Sequence, residues 1–88
     1  MKPAIGRIVI VKGFVSNDSD RHPAIITRVW NDDDPIDEPV RINATIFADA
    51  GSPYAMTSIP LFDTEEKAIA ARAAGAASMP HFAFWPPR

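Results

Sequence analysis

The run His22–Trp30, His-Pro-Ala-Ile-Ile-Thr-Arg-Val-Trp, constrains the fold more than any other stretch. It opens on a proline, passes through β-branched residues, and stops on a tryptophan before an acidic loop broken by Pro35 and Pro39. β-Branched and aromatic side chains suit a pleated, half-buried surface, and turn residues bound such a run. The sequence therefore predicts a strand over Ala24–Trp30. Alternation puts Ile25, Thr27 and Val29 on one face, and Ala24, Ile26, Arg28 and Trp30 on the other. A strand like this needs neighbours.

The chain supplies them. Gly6–Lys12 reads as a strand apolar on both faces in its middle. Gly13–Arg21 reads as a loop, because Ser16, Asn17, Asp18, Ser19 and Asp20 compete for local backbone hydrogen bonds. After the acidic loop 31–39, the stretch Val40–Phe47 alternates again. Val40, Ile42, Ala44 and Ile46 share one face; Arg41, Asn43, Thr45 and Phe47 share the other. Asp49–Pro53, centred on Gly51, is a hairpin loop, and Tyr54–Ile59 is a short strand closed by Pro60.

Asp63–Ala77 is the one helical stretch. Asp63 is an N-cap residue type and Glu66 follows at capping-box spacing, while Glu65 and Glu66 suit the positive end of the helix dipole. Ile69 is its only large apolar side chain. Ala70, Ala73, Ala74 and Ala77 allow close approach to a sheet or to another copy of the chain. His81–Trp85 is a last, aromatic strand, ended by Pro86 and Pro87. The predicted class is mainly β (α+β). It is either a five-stranded SH3-like small barrel, or a bent antiparallel sheet, with the alanine-rich helix between strands 4 and 5.

Eighty-eight residues make one domain, residues 1–88, with a small core and no cysteine to staple it. Self-association is the expected remedy, so a homo-oligomer is predicted. Arg7 interrupts any leader-like apolar segment, and Ile8–Val11 is far too short to span a bilayer. The expectation is a soluble, cytoplasmic protein with no membrane partner. Nine Lys and Arg against eleven Asp and Glu give a net charge of −2, without the basic stripe that duplex nucleic acid requires. A small phosphate ligand needs only one or two arginines.

No catalytic motif stands out. His22 and His81 match no metal-ligand spacing and read as edge residues, so no metal and no cofactor is expected. The acids 32–34, 37 and 38 lack the central glycine and alternation of a calcium loop and read as a solvated turn. Thr57 and Ser58 have no nucleophile elbow around them and no evident base. The chain reads as non-enzymatic. The candidate ligand-binding set is Arg7, Arg28, Trp30, Arg41, Tyr54, His81 and Trp85: aromatic faces for stacking and arginines to grip an anion. The competing reading has Trp30 and Trp85 plugging the two ends of a small barrel, with arginines snorkelling around them.

Four segments carry a resemblance: Gly6-Arg7-Ile8-Val9, the strand His22–Trp30, Met56-Thr57-Ser58 and Trp85-Pro86-Pro87-Arg88. Together they resemble a group of small proteins encoded by tailed bacteriophages and prophages. The chain departs from that pattern at Tyr54-Ala55-Met56, where the group has tryptophan then alanine, and in its long alanine helix. The resemblance implies a phage origin, in a bacterial host cell. Two functions then compete. One is an oligomeric sponge that sequesters a nucleotide-type immune signal in a preorganised pocket. The other is a virion accessory part, or an adaptor docking on a protein partner through residues 82–88.

Overall fold

The computed structural model describes residues 3–16, 19–30, 40–48, 51–74 and 80–87. Its elements are β1 (Ile8–Ser16), β2 (Ser19–Val29), β3 (Val40–Ile46), β4 (Tyr54–Phe62), α1 (Glu65–Ala73) and β5 (Phe82–Phe84). The strands pair in sequence order and close into a five-stranded barrel, with α1 between β4 and β5. This is the layout of a small SH3-like barrel. Neighbours pair antiparallel, except that β5 runs parallel to β4 while lying antiparallel to β1. The closure lets Ala83 sit between Val11 and Leu61.

Alternation separates two cores. Val9, Val11, Ala24, Ile26, Ile42, Ala44, Ile46, Ile59, Leu61, Ala83 and Trp85 fill the barrel. The opposite face of β5 carries Phe82 and Phe84, which pack with Ile10, Phe62 and Ala68 beneath the helix. The two-sided apolarity of β1 follows from this: Val9 and Val11 point in, whereas Ile10 lies under α1. The helix meets the barrel through Ala68, which is fully buried, whereas Ile69 is 42% exposed. A methyl group on that face lets the helix lie close to the phenylalanine rings.

Several boundaries differ from the sequence expectation. The 13–21 loop shrinks because β1 continues to Ser16 and β2 starts at Ser19, so ladder pairing overrides the turn preference of Ser19 and Asp20. His22 consequently lies within β2 and is buried, not at an edge. β4 runs through Pro60 to Phe62. Proline is tolerated there because β4 pairs with β5 only from Leu61 onward, so at Pro60 one side needs no donor. The last strand is shorter than predicted, at Phe82–Phe84.

The helix starts later than predicted. Thr64, not Asp63, is the N-cap: its extended backbone lets Oγ1 accept from the Lys67 N–H at 3.2 Å. Asp63 instead pairs with Lys67 Nζ at 3.4 Å. The helix ends at Ala73 with Ala74 as C-cap; the predicted extension to Ala77 lies outside the described residues, as do the acidic loop 31–39 and the residues Asn17 and Asp18. No helix among the described residues is long and apolar enough to cross a membrane.

Glu65 fastens α1 to the β1–β2 hairpin. Lys12 and Arg21 face each other across the ladder, a like-charge pair that is unfavourable alone. Glu65 Oε2 accepts from Arg21 Nε at 3.1 Å and from Lys12 Nζ at 3.4 Å, with Asp20 nearby. The Arg21 hydrogen bond, helped by Lys12, holds the Glu65 carboxyl below its ordinary value, against the opposing effect of desolvation. A carboxyl depressed on folding adds stability above its unfolded pKa and loses it as pH falls through the folded value. Denaturation midpoints should therefore fall as pH drops below the ordinary glutamate range of about 4.3. In Glu65→Gln that contribution should be absent, leaving a flatter acid limb; equal slopes in the two proteins would contradict it.

Candidate functional site

β2, β3 and β4 bring three of the candidate residues, Arg28, Trp30 and Arg41, together on the outer surface of the barrel. Two irregularities create the arrangement. Pairing between β2 and β3 slips after Ile26–Ala44, so that Arg28 faces Asn43 and Val29 faces Ile42. Thr27 is thus the extra residue of a bulge, which reverses the alternation. Val29 packs against the core, while Arg28 and Trp30 point outward, away from the face that unbroken alternation would have them share with the buried Ala24 and Ile26. On the other side of β3, pairing slips between Ile42–Ile59 and Ala44–Met56, so Thr57 and Ser58 together oppose Asn43.

Ser58 adopts φ 56°, a left-handed conformation costly for a residue with a Cβ. Asn43 holds it there. Its Oδ1 accepts from the Ser58 N–H at 3.0 Å and from Trp30 Nε1 at 2.7 Å. Arg41, two residues earlier on β3, donates from Nη1 to the Ser58 carbonyl at 3.5 Å. The Trp30 N–H donates to the Arg41 carbonyl at 2.9 Å, which fixes the end of β2 beside β3. Above the pinned indole lies the Arg28 guanidinium, 3.7 Å from the ring centroid. Among the described residues no carboxylate forms an ion pair with Arg28.

This geometry joins Arg28, Trp30 and Arg41 and adds Asn43 and Ser58 to the candidate set. A polar amide in the middle of an alternating strand was the available signal for Asn43, since asparagine is depleted in strands. The other candidates lie elsewhere. Arg7 is exposed at the entry to β1, where its carbonyl accepts from the Ile26 N–H. Tyr54 opens β4 opposite Ile46, four residues before Ser58. His81 precedes β5 with Nδ1 buried and lacking a hydrogen-bond partner. Trp85 is only 8% exposed and belongs to the barrel core. The plug reading thus fits Trp85; Trp30, at 48% exposed, is a surface residue.

A separate cleft of about 450 Å³ lies between Asp63–Glu66 and Phe84–Pro87. Its charged lining is acidic, so it does not suit the anion that the arginines would grip. Compared with known protein families, curated proteins and solved structures, the chain matches none of them.

Proposed function

We propose that this chain is a non-enzymatic, phage-encoded binding protein that works in the bacterial cytoplasm as a sponge for a nucleotide-type immune signal. The observation that carries the reading is the Arg28 guanidinium stacked on Trp30, with Arg41 on the adjoining strand. A guanidinium lying flat on an indole presents its N–H edge to a phosphate or carboxylate, and its outer face can stack on a base. Because Asn43 already fixes the indole, little ordering is left for the ligand to impose. The adaptor reading draws less support: Phe82, Phe84 and Trp85, which would form its contact, are buried.

The test is native mass spectrometry of the purified protein with a mixture of bacterial signalling nucleotides. The wild-type protein should gain a discrete nucleotide-sized mass. Arg28→Ala and Arg41→Ala should each weaken retention by roughly tenfold to a hundredfold, as loss of a charged hydrogen bond of about 1.5–3 kcal/mol implies. Asn43→Ala keeps both arginines but releases Trp30 and the Ser58 amide, and should weaken retention by about tenfold. A well-folded wild type that gains no mass, or an Arg28→Ala variant that binds as well as wild type, would refute the reading.

A further inference from the structure

Resting on the reading above, we propose that the Arg28–Trp30–Arg41 site is completed by a second copy of this chain, seated about a twofold axis on the same flank. The flank is half apolar. Direct pairing sets Ile8 beside Ile25, Ile25 beside Thr45 and Thr45 beside Ala55, an outward row across four strands without a single charge. Ile8 is 56% exposed and Ile25 36%, and Phe47, tied by its N–H to the Pro23 carbonyl, is 41% exposed. Ile8, Ile25 and Thr45 lie on strands that pair with their neighbours at these positions, so the contact that the row itself offers is face to face.

A second copy fits this row because the row can pair with itself. Arg28 and Arg41 both lie to one side of it along the strands. A twofold axis along the row carries Arg28 and Arg41 to the opposite end of the interface from their own copies, so these arginines do not meet each other. Size decides how far the contact reaches. A stable dimer takes about 800 Å² from each partner, a patch roughly 30 Å across. Trp30, directly after β2, is five residues from Ile25, or about 16 Å along an extended chain, so a patch centred on the row extends to the indole. The site also needs a wall. Small-molecule sites enclose about 70–90% of their ligand, which the convex flank of one barrel cannot do.

The experiment needs no ligand, so its failure is distinct from failure of the nucleotide reading. Trp85→Phe leaves Trp30 as the sole tryptophan, and sedimentation velocity with acrylamide quenching is measured with and without Ile8→Glu. The proposal expects a dimer that Ile8→Glu converts to a monomer with an unchanged circular dichroism spectrum, and Trp30 quenched more strongly once the dimer is lost. Phe47→Glu serves as the second variant should Ile8→Glu fail to fold. A wild type that is monomeric at high micromolar concentration overturns the proposal. So does a dimer that survives both substitutions, or one that dissociates without changing the quenching of Trp30.

Discussion

Truncating Phe82 to alanine should cost about 4 kcal/mol of stability, in the range for burying and then deleting an aromatic ring. The side chain is fully buried where β5 packs against α1. Its ring lies in the layer between barrel and helix, with Ala68 above, Phe84 at 6.1 Å between centroids, and Arg72 over its face at 4.9 Å. Alanine at position 68 offers no bulk to refill the space. An 88-residue domain has a total stability of only about 4–13 kcal/mol, so much of it would go. Urea denaturation should show a midpoint shift of matching size, and thermal melting a fall of roughly 15–30 °C. Phe82→Leu, which keeps most of the volume, should cost less than about 1.5 kcal/mol. If the two variants were equally stable, the layer under α1 would not be the second core described above.

What the sequence could and could not reveal follows from how local each determinant is. Strand periodicity is local, so the strand Val40–Ile46 and its apolar face Val40, Ile42, Ala44 and Ile46 are readable, as is a helix between strands 4 and 5; which face of Ala24–Trp30 turns inward is not, because each face carries an isoleucine. The direction in which Trp30 points is not local. It depends on Thr27 being left out of the ladder, and that slip is set by the register of β3, where Asn43 ties the β4 bulge to the indole. Continuous alternation would have sent Trp30 inward, and one bulge sends it outward. The helix start shows the same limit on a smaller scale. Asp63 and Thr64 are both good caps, and the choice between them is made where the chain leaves β4, one residue beyond Phe62. Trp85 differs again: an aromatic residue before two prolines looks the same in sequence whether it forms a surface or closes a barrel.

Gly13→Ala should be destabilising by roughly 3 kcal/mol or more, although the position is exposed. Two costs combine. Gly13 sits at φ +111°, and a Cβ built there would lie 2.1 Å from the Pro80 carbonyl oxygen, 2.9 Å from His81 Nδ1 and 3.0 Å from His81 Cα. Two of those three atoms are backbone, so no rotamer change relieves the contact. Moving the chain at 80–81 would pull β5 away from β1, since the ladder begins one residue on, at Lys12 opposite Phe82. The barrel closes at that seam. Gly6→Ala provides the control that separates the costs: φ is +92° there, but a Cβ meets nothing within 4 Å. It should cost about 1–2 kcal/mol, the strain of the left-handed backbone alone. Chemical denaturation of both variants gives the difference directly. Two equal losses would mean that the close approach of Gly13 to Pro80 and His81 adds no cost beyond the left-handed backbone; a larger loss at Gly13 shows that the β1–β5 seam has no room for a methyl group there.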